Sequence, residues 1–106
     1  MAKFNGLSAE EEEILDIMQE ELAEVIQAIS KVKRHGYLST HPDGGEDNLT
    51  AMLRELGDLE CISDIWSRSI GGQANHNINQ AKIKGFAIEK LQKLPRYTHH
   101  IDWTKY

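Results

Sequence analysis

An all-α fold, an antiparallel helical bundle completed by oligomerisation, is predicted by three observations. Apolar residues recur at three- and four-residue steps from Leu15 to Val32 and again from Leu49 to Ile70, the period of an amphipathic helix. Helix-start chemistry precedes each stripe, in Ser8 with Glu11 and in Asp47-Asn48. Helix breakers follow the helical segments, at Gly36, at Gly71-Gly72 and at Pro95. With 106 residues, the chain reads as one domain, 1–106, whose core is small enough that self-association is expected.

Met1 to Leu7 forms a short lead in which Phe4 and Leu7 are available to pack. The first helix is predicted over about 8–34. Its acidic run Glu10 to Glu13 faces the positive end of the helix dipole, and Lys31, Lys33 and Arg34 face the negative end. Its stripe is Leu15, Met18, Leu22, Val25, Ile26, Ile29 and Val32, and Gly36 suits a left-handed cap. Residues 37–47, with Pro42, Gly44 and Gly45, read as a loop that returns the chain for an antiparallel partner.

Asp47 or Asn48 caps the second helix, predicted over about 48–70, with a stripe of Leu49, Met52, Leu53, Leu56, Leu59, Ser63, Trp66 and Ile70. The third helix, about 77–94, starts near Asn75 or Asn77, the latter with Gln80 in the capping-box position. Ile78, Ala81, Gly85, Ile88 and Leu91 are its expected packing face, with Asn79, Lys82 and Phe86 on a neighbouring strip. The tail 95–106 has no helical period and is expected to be extended.

A formal charge of -5 argues against a nucleic-acid binder that works through a broad basic surface. One cysteine, Cys61, excludes an internal disulfide, and no signal peptide, membrane-spanning run or four-ligand zinc site is visible. A cytoplasmic, reduced protein with no membrane partner is the expectation.

The chemistry lies in two acid pairs. Glu21 and Glu24 are three residues apart, as are Glu55 and Asp58, so each pair projects from one helix face. Glu21 and Glu24 follow Leu15 by six and nine residues, and Glu55 and Asp58 follow Leu49 by the same intervals. Each pair therefore has the same angular relation to its own stripe. Positions 25, 28, 59 and 62 are Val, Ala, Leu and Ile, so no cation follows four residues on to neutralise an acid. Paired side by side, the helices would gather four carboxylates. Hard divalent cations with oxygen ligands, Mg²⁺ with Mn²⁺ able to substitute, are the natural counter-charge. A di-iron bundle would use Glu-x-x-His, which neither helix offers. Gly57 stands inside the second pair and Ala23 inside the first, small residues that would let a ligand or a neighbouring backbone approach.

Glu20-Glu21-Leu22-Ala23-Glu24 followed by Glu55-Leu56-Gly57-Asp58 resembles the E-E-x-x-E and E-x-x-D signature of the MazG-like all-α nucleoside triphosphate pyrophosphohydrolases. The resemblance runs from about Leu15 to Leu91, and Lys33-Arg34-His35-Gly36 with His41-Pro42 is similar to small phage-type members. It implies hydrolysis of a (d)NTP to the monophosphate and pyrophosphate by a homodimer or homotetramer of helical chains, in the host cytoplasm if phage-encoded. It also implies two or more Mg²⁺ ions per site held by Glu21, Glu24, Glu55 and Asp58, with Glu24 also orienting or deprotonating the attacking water. Glu20 matches the first acid of the signature and is a further catalytic candidate, although it points away from the other two on the helical wheel. Asn79, Lys82, Lys33 and Arg34 are the candidates for phosphate contacts. Many relatives carry a pair of arginines in the third helix, where this chain has Lys84-Gly85.

Trp66 and Phe86 are expected to pack in the core rather than to stack on a base. His35, His41 and His76 read as loop or capping residues, and Cys61 as an inert small residue. Phosphoribosyl-ATP or an alarmone is an alternative substrate. A non-catalytic helical interaction module, with the acids serving only as a solvated face, is the alternative of another class.

Overall fold

The structure, a computed structural model, describes residues 4–70 and 72–106. Helix α1 spans Ala9–His35, α2 Asn48–Ser69 and α3 Gly72–Lys93, and there is no strand among the described residues. Two short 3₁₀ turns, Leu94–Arg96 and Trp103–Lys105, complete the chain. No helix among the described residues is long and apolar enough to cross a membrane.

The start of α1 is fixed by the expected capping box. The Glu11 N–H donates to Ser8 Oγ at 3.1 Å and the Ser8 N–H donates to Glu11 Oε1 at 3.3 Å, which satisfies two groups that the first turn leaves unpaired. At the other end Gly36 has φ 86° and ψ 167°. It is thus a positive-φ glycine but not the expected left-handed helical cap, and its N–H donates to the Val32 carbonyl at 2.8 Å.

Asp47 is the cap of α2, accepting from the Thr50 N–H at 2.8 Å. Asn48, the other candidate, closes the preceding helix instead. Its Nδ2 donates to the Gly36 carbonyl at 3.0 Å. The connection is braced further by the Asn48 N–H on the Ser39 carbonyl, 3.0 Å, and the Leu49 N–H on the Tyr37 carbonyl, 2.8 Å.

These ties return α2 along α1 as an antiparallel hairpin. Its buried seam is Ile14, Val25 and Ala28 against Ile62, flanked by half-buried Met18, Val32, Leu59 and Trp66. The seam is rotated away from the middle of the expected stripes: Leu22, Ile26, Ile29, Leu49, Leu53 and Leu56 remain exposed. A two-helix seam covers one narrow line on each helix, roughly one residue per turn, whereas the stripes of this chain are wider.

Helix α3 begins at Gly72, well before the expected Asn77. Gly72 at φ 80° forms the corner with α2; its neighbour Gly71, also expected to stop the second helix, lies outside the described residues. Polar side chains suited to capping are used across and within this corner. Asn75 Nδ2 donates to the Ile70 carbonyl at 3.1 Å, and Gln73 Nε2 donates to Asn77 Oδ1 at 3.1 Å.

Contact between α3 and α2 is centred on His76 and Ser67. Ser67 is fully buried, His76 is 7% exposed, and His76 Nδ1 lies 2.9 Å from Ser67 Oγ. His76 Nε2 faces Asp64 Oδ1 at 3.6 Å. Arg68 binds the other Asp64 oxygen at 2.8 Å and Gln73 Oε1 at 2.8 Å. His76 is therefore a buried clasp, not the loop or capping residue expected. Beyond it an open cleft separates Gln80 and Ile83 from Gly57, Glu60 and Cys61 of α2, and Ile78, Ile88 and Leu91 of the expected packing face are exposed, so none of the described residues buries them.

The tail is more ordered than an extended segment. Trp103 Nε1 donates to Thr98 Oγ1 at 2.8 Å, and Thr98 Oγ1 donates to the Leu94 carbonyl at 3.1 Å. Trp103 also meets Tyr106 edge-on at 5.9 Å.

Because Ser67→Ala would leave His76 Nδ1 buried without its partner, it should lower stability by about 1–3 kcal/mol. Exposed Ser30→Ala should stay within about 0.5 kcal/mol. Urea unfolding followed by helical circular dichroism checks this, and equal midpoints for the two variants would remove the clasp from the account.

Candidate functional site

The same line on α1 that carries Ile14, Met18, Val25 and Ala28 also carries Glu21. On α2 the line through Leu59, Ile62 and Trp66 carries Glu55. The hairpin thus presses one carboxylate from each helix into an otherwise apolar seam. Both are half-buried, and Asp58, one turn on from Glu55, stands exposed at the seam's edge. One oxygen from each of Glu21, Glu55 and Asp58 lies within 4.8 Å of the other two.

Burial, and after it the charges of Asp58, Glu55, Glu20 and Glu24, hold the Glu21 carboxyl above its ordinary value. No salt bridge relieves this among the described residues. Arg54, the neighbour of Glu55, is committed to Glu46, with Nη2 at 2.7 Å from Oε2 and Nε at 3.2 Å from both oxygens. Three carboxylates from two helices, with neither nitrogen nor sulfur donors among them, make a donor set suited to a hard divalent cation such as Mg²⁺ or Mn²⁺.

The other candidates stand apart from this trio. Glu24 is half-buried one turn along α1, where it adds to the charge around Glu21 without joining the group of three. Glu20 is exposed. Lys33 and Arg34 lie at the far end of α1, 12 and 13 residues on from Glu21, or about 18–20 Å at 1.5 Å per residue. Asn79 Nδ2 is directed at the Ser67 carbonyl, 3.5 Å away. Ser67 follows Glu55 by 12 residues, about 120° around α2 and about 18 Å along it. Helix α3 therefore docks on a different side of α2 from α1, and Asn79 and exposed Lys82 are not brought to the acids of their own chain.

Gly57 is open as well. A Cβ built there would meet nothing within 4 Å, so no neighbouring backbone among the described residues requires the glycine. Trp66 is half-buried, but Phe86 is 66% exposed, contrary to the expected core role. Its helix is uncovered at that point. The Ser67–His76 pair was missed in the sequence because a polar contact between two helices has no periodic signature.

Glu21 has a raised carboxyl pKa in the fold, so the folded state binds more protons than the unfolded chain across that interval. Stability therefore falls as pH rises from the ordinary value of 4.5 through the raised one, and the loss persists at neutral pH. In a chelator, Glu21→Gln should melt higher than the parent at pH 7, and the gap should close as pH falls through the carboxylate range. A variant less stable than the parent at pH 7 would contradict the strained cluster.

Compared with family models, curated proteins and solved structures, the chain matches none of them.

Proposed function

We propose that this protein is a Mg²⁺-dependent nucleoside triphosphate pyrophosphohydrolase that converts a (d)NTP to the monophosphate and pyrophosphate and so biases a nucleotide pool. The observation that carries this reading is the convergence of two separate sequence pairs. Glu21, from E-E-x-x-E, and Glu55 and Asp58, from E-x-x-D, bring carboxylate oxygens within 4.8 Å of one another with no salt bridge to any of them among the described residues.

In the proposed reaction water attacks the α-phosphorus, the bond from that phosphorus to the α,β-bridging oxygen breaks, and pyrophosphate leaves. When bound, Mg²⁺ supplies positive charge for the phosphate oxygens and acidity for the attacking water. Glu21 and Glu55 would hold the ion from inside the seam, and Asp58 from its edge, where substrate has access. Glu24, one turn away and outside the trio, would accept the proton of the water. Glu20 is exposed and would act only through its charge.

A homo-oligomer fits this reading. The radius of gyration is 17.6 Å, against about 13 Å for a compact chain of this length. Leu22, Ile26 and Ile29 on α1, Leu53 and Leu56 on α2 and Ile83 and Phe86 on α3 are all exposed. Apolar surface left open on three helices favours association, and a second copy with the same stripes would complete a bundle. Asn79 and Lys82 would then meet the phosphates of a neighbouring chain's site. The same apolar surface favours the second reading, a non-catalytic helical association module.

With Mg²⁺ and the common NTPs and dNTPs, the protein should release monophosphate and pyrophosphate, and Glu55→Gln should reduce turnover by about 100-fold or more. Product-resolved chromatography checks it. Absence of turnover together with no thermal stabilisation by Mg²⁺ would leave the association module. In sedimentation, the parent should run as a dimer or tetramer and Ile26→Asp, 64% exposed in one chain, as a smaller species; a monomeric parent would overturn the assembly.

A further inference from the structure

The far end of the hairpin carries a second cleft whose charge is opposite to that of the acid trio. It has a volume of about 520 Å³, in the range of small-molecule sites. The last turns of α1, the loop 36–47 and the first turn of α2 enclose it. Lys31, Arg34, His35, Ser39, Thr40 and His41 line it.

No salt bridge or carboxylate hydrogen bond engages Lys31 or Arg34 among the described residues. Arg34 uses only Nε internally, donating to the Ser30 carbonyl at 3.4 Å, which leaves its terminal fork for a ligand. The acid in the cleft wall, Glu46, is already neutralised by Arg54 at 2.7 Å, and the Arg54 hydrogen bond holds its carboxyl below the usual range. The dipole of α1 accounts for some positive charge at this end. It amounts to about half a negative charge, whereas Lys31 and Arg34 in the cleft wall bring two positive ones.

The wall is built before any ligand arrives. The loop is tied by the Asn48 N–H on Ser39, the Leu49 N–H on Tyr37 and the Gly44 N–H on the His41 carbonyl, 2.8–3.0 Å. The Asp43 N–H donates to His41 Nδ1 at 3.1 Å, which places the proton of the neutral ring on Nε2 as a donor. Asp43 Oδ2 lies 3.5 Å from that same Nδ1, on the nitrogen opposite to the Nε2 donor. A guanidinium fork, an ammonium, two hydroxyls and an imidazole N–H form a donor set that matches tetrahedral phosphate oxygens.

We infer that this cleft binds the phosphoryl group of a phosphorylated small molecule, independently of the acid trio and of any divalent ion. Ala51 in the cleft wall precedes Asp58 by seven residues, about 10 Å along α2, so the two sites are neighbours but do not share ligands.

Calorimetric titration in chelator, with inorganic pyrophosphate and separately with ATP, tests this without any hydrolysis. Pyrophosphate should bind, Lys31→Ala/Arg34→Ala should weaken it by about 10–100-fold, and Lys90→Ala on α3 should leave it unchanged. Glu55→Gln should keep the affinity even where it abolishes turnover, which separates the failure of this site from the failure of the acid trio. Tighter binding of ATP than of pyrophosphate would identify a nucleotide tail as the occupant, and equal binding a free phosphate. Amide shifts mapped by NMR on the unmodified protein should fall on residues 31–48. No binding of either probe, equal affinity in the double variant, or shifts confined to the acid trio would overturn the proposal.

Discussion

Glu21 and Glu55 share the seam that holds α1 to α2, and this constraint governs the rest of the molecule. Carboxylates in a helix interface resist the pairing of the two helices, and the pairing succeeds because apolar residues flank them on both sides. Val25 and Ala28 lie on one side of Glu21 and Ile14 on the other, with Ile62 opposite from α2. Burying a Val or Ile contributes about 1.5–3 kcal/mol each, enough for a few such residues to hold the seam together around its charges. The braced loop and the two side-chain caps then fix the register that puts Glu55, and not a neighbour, opposite Glu21. A slip by one residue would turn Glu55 about 100° out of the seam.

Much of this was legible in the sequence. Ser8 and Glu11 mark the start of α1, Asp47-Asn48 the start of α2, and the equal offsets of the acid pairs from Leu15 and Leu49 give Glu21 and Glu55 the same angular relation to their own stripes. The seam itself was displaced from the predicted stripes, because period identifies an apolar arc but not which edge of it a single partner covers. Helix α3 was predicted late for a related reason. Asn75 and Asn77 are good caps in isolation, yet the corner at Gly72 and the burial of His76 against Ser67 carry the helix past them from its N-terminal side. The substrate candidates divided according to helix side: the acids converge on the α1 side of α2, whereas Asn79 sits on the α3 side. Wheel positions within one helix do not contain that information.

Charge is sorted along the hairpin. Among the described residues neither the trio Glu21, Glu55 and Asp58 nor Lys31 and Arg34 at the loop end has a salt bridge, whereas Glu46 closes on Arg54 and Asp64 on Arg68. A net charge of -5 conceals this arrangement. It is the distribution rather than the total that gives the groove between the helices its polarity.

The one-ended seating of α3 also bears on how the chain opens. Ser67 and His76 are nine residues apart, whereas Glu21 and Glu55, brought together in the seam, are 34 apart, so the clasp is the more local of the two contacts. It is also the smaller one, centred on a single buried pair. Local opening draws on regions with few buried contacts, so α3 detaches and reseats at a lower cost than separation of the hairpin. The clasp acts as a hinge that closes quickly over a short stretch of chain, and the seam as the part that keeps the fold together while α3 moves.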